Sequence, residues 1–285
     1  MGTMAEILYG APVAEAIRAD LWERITALRA RGIAPCLAAV RAGENAGALS
    51  YERSARRGCE GLGVGFRAVV LPESCENSSL LQQMRALSAD PGVHGCLLLR
   101  PLPPQIDEHA ASEAIVPEKD VDGVTGQSLR RLFTGYGSGH WPCTPEAVLA
   151  MLDYYHIPLD GARVTVLGRS LIVGKPLSLL LTGRNATVTL CHSHTRGLPD
   201  LCREADILIS AAGCAGLIGA DWVRPGQVIL DVGTSLNAAG KLCGDVAFDR
   251  VASRVAALSP VPGGVGAVTT AVLLRHVVET AERSR

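Results

Sequence analysis

A chain of 285 residues, 48% apolar but only 4% aromatic, with 31 Gly and 16 Pro, is long enough for two domains and describes short Ala-, Val- and Leu-rich elements joined by tight turns. Its 27 Lys and Arg against 28 Asp and Glu leave a net charge of −1, which gives no electrostatic reason to expect nucleic acid or an anionic membrane as partner, so a small ligand is expected. Nine scattered cysteines, never spaced Cys-x-x-Cys, argue against a disulfide framework and against a metal site. With no secretory leader pattern and no run of eighteen apolar residues, they predict a soluble, cytoplasmic protein.

Apolar runs of β type recur at residues 36–40, 67–71, 95–99, 163–167, 186–190, 206–209 and 227–232, each followed by a stretch of helical period. That alternation predicts an α/β protein of parallel sheets covered by helices. The main boundary falls near 142–145, where the loop Tyr136-Gly137-Ser138-Gly139-His140-Trp141 gives way to a helical pattern over 145–155. Two domains are therefore expected: an N-terminal α/β domain over 1–142 and a Rossmann-like dinucleotide-binding domain over 143–267 built on a parallel sheet. The final helix, 268–281 within the segment 268–285, is expected to return to the first domain. No internal repeat or low-complexity tract is visible.

The run 163–167 ends in Gly168-Arg169-Ser170-Leu171-Ile172-Val173-Gly174-Lys175-Pro176 and then a helix. A strand, a Gly-bounded loop and a helix start aim backbone N–H groups and a positive helix end at a phosphate. The spacing departs from G-x-G-x-x-G, and a turn that needs two glycines for its backbone angles is an equal alternative on spacing alone. After the next run, where a dinucleotide fold places an acid on the ribose hydroxyls, the sequence reads Cys191-His192-Ser193-His194-Thr195. No acid is present, and Arg169 lies within reach of a 2′-phosphate, so NADP is favoured, with NAD as the alternative. His192 and His194 are two apart but lack a third ligand, which argues against metal. Further on, Pro260-Val261-Pro262-Gly263-Gly264-Val265-Gly266 lets backbone approach a flat ligand, although alone it reads equally as a structural loop.

Together these motifs resemble the FolD family of bifunctional methylenetetrahydrofolate dehydrogenase/cyclohydrolases, over essentially the whole chain. Four segments carry the resemblance in order: a helix opening at Tyr51 and reaching Cys59-Glu60, Lys119-Asp120-Val121-Asp122-Gly123, the loop 168–176, and the loop 260–269. The resemblance implies a folate cleft between the two domains and a homodimer, with tetrahydrofolate one-carbon derivatives as partners. It makes Tyr51 and Asp122 the catalytic and substrate-facing pair, with Leu99, Pro262, Gly263 and Gly264 also against the substrate. Thr144, Gly168, Arg169, Ser170, Ile172, Ser193, Thr234, Gly266 and Thr269 are implied as cofactor contacts.

The departures are concentrated. The family carries a catalytic Lys four residues after this Tyr, where this chain has Ala55, and a partner Gln where it has Leu99. A Ser is replaced by Ala48, an early Lys by Ala11, and a Pro-Met pair by Ala267-Val268, while the dinucleotide half is nearly intact. Positions 51 and 55 share a helix face, whereas Arg56 is turned about 100° away and its guanidinium cannot give up a proton. Arg56 is expected to be an exposed charge, and Arg100 to point away from Leu99 if both lie on a strand.

Moving a hydride from a methylene bridge between two nitrogens needs positioning more than a proton donor. Hydrolysing the resulting cation needs proton movement, to which a placed acid or base contributes about 10²–10⁴-fold. The sequence thus predicts NADP-dependent oxidation of 5,10-methylenetetrahydrofolate to 5,10-methenyltetrahydrofolate, with the cyclohydrolase step lost. Two alternatives stay open: a dehydrogenase of the same plan acting on a non-folate substrate, and a relative that binds folate without turnover.

Overall fold

The computed structural model describes residues 5–237 and 239–284. In chain order these form β1 (Glu6–Ile7), α1 (Gly10–Ala30), β2 (Cys36–Ala42), α2 (Ala46–Leu62), β3 (Gly65–Leu71), α3 (Asn77–Ala89), β4 (Gly95–Leu98), α4 (Glu108–Glu113), α5 (Gly126–Thr134) and α6 (Cys143–Tyr154). There follow β5 (Arg163–Leu167), α7 (Gly174–Thr182), β6 (Thr187–Cys191), α8 (Leu198–Glu204), β7 (Ile207–Ser210), β8 (Val228–Asp231), β9 (Ser235–Leu236), β10 (Leu242–Cys243), α9 (Phe248–Val251), β11 (Ala257–Leu258) and α10 (Gly266–Arg283). One compact unit takes the described residues from Ala16 to Cys143 with those from Thr270 on, and the other takes those up to Glu15 with Thr144–Thr269.

In the first unit β2 lies between β3 and β4, all parallel, with Cys36 opposite Gly65 and Leu37 opposite Gly95. Apolar residues fill both faces of the central strand, as a parallel sheet requires: Leu37, Ala38, Ala39 and Val40 are all buried. Ala38, Val40, Cys96 and Leu98 pack on Leu80 and Met84 of α3. Helix α2 begins earlier than the sequence predicts. The Asn45 side chain accepts from the N–H groups of Gly47 and Ala48 and opens the helix at Ala46, so Tyr51 sits in its second turn. Gly63 ends it in the left-handed conformation at φ 68°.

The second unit is built on a six-stranded parallel sheet in the order β1-β11-β8-β7-β5-β6. β6 lies on one side of β5 and β7 on the other, which makes a switch point at the carboxyl end of β5, where open α/β sheets bind ligands. Leu208, Ile229 and Leu258 from three neighbouring strands are fully buried in its core. β1 pairs with β11 through Glu6 opposite Ala257, so the first described residues of the chain complete the edge of this later sheet. Among the described residues no helix is long and apolar enough to cross a membrane.

Candidate active site

In the first unit, helix α2 is fastened by a buried ion pair: Arg41 Nε of β2 donates to Glu52 Oε2 at 2.7 Å. Glu52 also takes Arg56 Nη2 at 3.2 Å, and the Arg56 guanidinium lies 4.5 Å from the Phe66 ring centroid. Arg56 is therefore engaged beside β3, with its side chain 42% exposed. Ser54, another neighbour of residue 55, has its hydroxyl 3.2 Å from that of Thr270. Ala55 itself is 0% exposed and Leu99 1%, so both positions where the resemblance expects a catalytic Lys and its partner Gln are closed hydrocarbon.

Asp122 and Tyr51 come within electrostatic reach of one another. Burial, reinforced by the Asp122 charge, raises the Tyr51 phenol well above its ordinary value. The hydroxyl thus stays protonated. Burial also pushes Asp122 up to about 6, against the pull of Arg100, with Asp120 adding to the rise and His276 and a hydrogen bond to Cys143 opposing it. The turn around Gly123 is held by the neighbouring Asp120 and not by Asp122. The Asp120 carboxylate accepts from the N–H groups of Val124 and Thr125 and from the Ser128 hydroxyl at 3.1, 2.8 and 2.7 Å.

Arg100 departs from strand logic. β4 ends at Leu98, so strand alternation does not govern the residues that follow. The Arg100 guanidinium reaches Glu108 at 2.6 Å, Ser112 at 3.1 Å and Asp122 at 3.6 Å. Sequence reasoning did not place a cation beside Asp122.

In the second unit the loop after β5 turns tightly between two glycines and leads into the start of α7. Gly168 sits at φ +110°, and a Cβ there would overlap the carbonyl oxygen of Ala211; a Cβ on Gly174 would overlap the carbonyl oxygen of Gly168. Both positions require glycine for the close approach of the chain's own backbone, which a tight turn and a phosphate-binding loop demand alike. Ser170 Oγ accepts from the Val173 N–H at 3.0 Å and shapes the bend that delivers the chain into α7. Arg169, Ser170 and Ile172 are exposed, and among the described residues Arg169 has no carboxylate partner. Beside it a cavity of about 410 Å³ is lined by Gly168, Arg169, His192 and Ser193, with Ala212 and Cys214 from the loop after β7. A guanidinium without a carboxylate partner among the described residues, a hydroxyl and a glycine-bounded loop at a helix start fit a dinucleotide bearing a 2′-phosphate.

The other expected contacts lie in this unit as well. Thr144 stands half-buried in the first turn of α6, and Thr234 is exposed just after β8. Gly263 accepts at its carbonyl from the Gly10 N–H at 2.8 Å, which ties the loop 260–266 to the start of α1. Pro262 and Gly263 are exposed and Gly264 is buried. Thr269 Oγ1 donates to the Gly266 carbonyl at 3.0 Å at the start of α10.

Sequence reasoning missed the loop 211–214 and its anchor. Fully buried Asp245 accepts from the N–H groups of Ala212 at 2.7 Å and Cys214 at 2.8 Å, fixing one wall of the cavity. Asp231 in turn accepts from the N–H groups of Gly233, Asp245 and Val246 at 2.9, 3.1 and 2.8 Å. A signal was available in Gly244-Asp245, since acids beside glycine often bind backbone, but their partners lie more than thirty residues away.

Residues 8–122 match the family model described as Tetrahydrofolate dehydrogenase/cyclohydrolase, catalytic domain, and residues 142–285 match its NAD(P)-binding domain. The chain is 46% identical over 281 residues, covering 98% of both chains, to "Bifunctional protein FolD" of Carboxydothermus hydrogenoformans. Its fold is similar to that of the bifunctional enzyme FolD from Campylobacter jejuni, with a TM-score of 0.95 at 37% identity, covering 98% of this chain and 99% of that one. It is also similar to the Trypanosoma brucei methylenetetrahydrofolate dehydrogenase-cyclohydrolase complexed with NADP cofactor and inhibitor, with a TM-score of 0.94 at 35% identity and 99% of both chains covered.

Proposed function

Because the chain belongs to the tetrahydrofolate dehydrogenase/cyclohydrolase family, we propose that it oxidises 5,10-methylenetetrahydrofolate to 5,10-methenyltetrahydrofolate with NADP, and that the family's hydrolytic second activity is lost in it. The observation that carries this reading is a contrast within one molecule. The dinucleotide cradle keeps its glycines and a free Arg169, while Ala55 and Leu99 fill the proton-handling positions with buried hydrocarbon.

NADP, when bound, accepts a hydride at its nicotinamide. The chain's own part is to hold and orient. The N–H groups at the start of α7 and the loop from Gly168 take the pyrophosphate, with Ser170 and Ile172 against it, and Arg169 and Ser193 take the 2′-phosphate. Thr144, Thr234, Gly266 and Thr269 complete the cofactor contacts. In the first unit Asp122 accepts from the amino-pyrimidinone edge of the folate and Tyr51 lies against its rings, with buried Leu99 as apolar backing; in the second, the loop Pro262-Gly263-Gly264, exposed at Pro262 and Gly263, offers flat contact. With Asp122 committed to the pyrimidine edge and Ala55 in place of a lysine amine, water attack on the methenyl cation loses the acid–base assistance that the family's Lys would give. We further infer a cytoplasmic homodimer, supported by the family resemblance and by nine cysteines that are all free thiols.

The test is to mix the protein with 5,10-methylenetetrahydrofolate and NADP and to follow reduced cofactor by fluorescence and the methenyl band by absorbance. The proposal expects both to rise together and the methenyl band to persist. Folate binding without reduced cofactor would instead identify a binding protein, and no folate binding a different substrate.

A further inference from the structure

The guanidinium of Arg100 is held on three sides. Nε donates to Glu108 Oε1 at 2.6 Å, Nη2 donates to Ser112 Oγ at 3.1 Å, and Nη1 stands 3.6 Å from Asp122 Oδ2. The anchors belong to α4, which is capped by Asp107 accepting from the Ala110 N–H, so the guanidinium has a fixed orientation and not a free tether. We propose that Arg100 is the positioning residue for Asp122: it holds that carboxylate ionised, as the acceptor for the N–H donors of the substrate's 2-amino-4-oxopyrimidine edge. This rests on the folate reading of Asp122 given above.

The surroundings of Asp122 make such a partner necessary. It faces Tyr51 of α2, Asp120 two residues earlier, Cys143 at the start of α6, His276 of α10, and Arg100. Tyr51 is neutral, and Asp120 carries the same sign of charge. His276 commits Nδ1 to the carbonyl oxygen of Val121 at 2.8 Å. Arg100 is the member of this set whose positive charge persists at every working pH. The Asp122 side chain is only 17% exposed, and a carboxylate so placed takes up a proton unless a fixed cation opposes it. A protonated Asp122 would offer a donor where the pyrimidine edge also offers donors, and binding would be lost. Glu108 does not cancel the effect, because its side chain is 51% exposed and its charge is screened by water.

The experiment compares the wild type with Arg100→Leu and Arg100→Lys. Carboxyl carbon signals are titrated by NMR in the ligand-free protein, with Asp122 assigned through its loss in Asp122→Asn, and the affinity for tetrahydrofolate is measured by fluorescence from pH 6 to pH 8. Arg100→Leu should move the Asp122 titration up by about one pH unit, weakening tetrahydrofolate roughly fivefold at pH 6 and less than about twofold at pH 8. Arg100→Lys should restore most of both, and NADP affinity should be the same in all three. An Asp122 titration unmoved by Arg100→Leu, an equal loss of affinity at both pH values, or tighter folate binding without the arginine would overturn the assignment. A wild type that binds no tetrahydrofolate overturns the folate reading itself, whereas binding with no pH dependence overturns the role of Arg100 alone.

Discussion

The hydroxyl of Ser210, the last residue of β7, donates to Asp245 Oδ2 at 2.7 Å, and both residues are fully buried. The same carboxylate organises the loop 211–214, so the strand end and the cavity wall are held by one side chain. Asp245→Ala would strand several buried donors at once and should cost on the order of 3 kcal/mol of stability, with weaker NADP binding. Asp245→Asn keeps one carbonyl acceptor and should lose less. Denaturant unfolding together with NADP titration checks both, and a stable Asp245→Ala protein with unchanged NADP affinity would refute the idea.

Much of this architecture is legible in the sequence because buried parallel strands are short runs dominated by aliphatic and β-branched residues, as in 163–167 and 207–209, that need no partner to be recognised. β1 and β11 are not legible, since two residues cannot display a period and their pairing joins Glu6 to Ala257 across most of the chain. The tight loop after β5 is readable because Gly168 and Gly174 mark close backbone approach locally. Arg100 is not, because its placement depends on β4 ending at Leu98 and on α4 supplying Glu108 and Ser112. By residue type alone Asp120 and Asp122 look interchangeable in Lys119-Asp120-Val121-Asp122-Gly123; the resemblance singles out Asp122, and the turn-holding role of Asp120 shows only in its three-dimensional partners.

Arg169 is exposed at the mouth of the cavity that Ser193 also lines, with no carboxylate partner among the described residues. Arg169→Ala should therefore weaken NADP by about 1.5–3 kcal/mol, the range for a hydrogen bond to a charged group, and weaken NAD far less. Isothermal titration with both cofactors decides it, and equal losses would remove Arg169 from the 2′-phosphate.

Asp122 titrates at about 6 in the folded protein, above the 3.8 of a free side chain. The folded state therefore binds this proton more tightly than the unfolded state. Its ionisation lowers stability as pH rises from about 4 to about 6, and the penalty stays in full above that. Asp122→Asn cannot ionise, so the melting temperature of the variant relative to the wild type should rise with pH over this window and level off near neutrality. The same variant should lose folate affinity or turnover and keep NADP binding. Calorimetry at pH 4.5, 6 and 7.5 with parallel kinetics tests the pair, and a melting difference that is flat with pH would mean that Asp122 is not the group titrating.

Ala55 and Leu99 bear on the missing half-reaction as a pair. The wild type should form 5,10-methenyltetrahydrofolate and then hydrolyse it no faster than buffer does. Ala55→Lys introduces a long cation at a position with no exposed surface, where forced side-chain packing alone typically costs about 1–3 kcal/mol and where the charged form is disfavoured. With Leu99 still present the amine has no orienting partner, so hydrolysis should recover little. Leu99→Gln alone supplies an amide with nothing to orient. The double variant gives each new polar group the other as a partner, and its rate of methenyl hydrolysis should exceed the product of the two single effects, since residues that act as one unit are strongly non-additive. Because both changes fall in the core, each variant is first compared by unfolding and by NADP affinity, so that loss of fold is not mistaken for loss of chemistry. A wild-type protein that already hydrolyses the methenyl compound well above background would show that the proton is carried from elsewhere, and Tyr51, with its phenol held protonated beside Asp122, would be the first residue to replace.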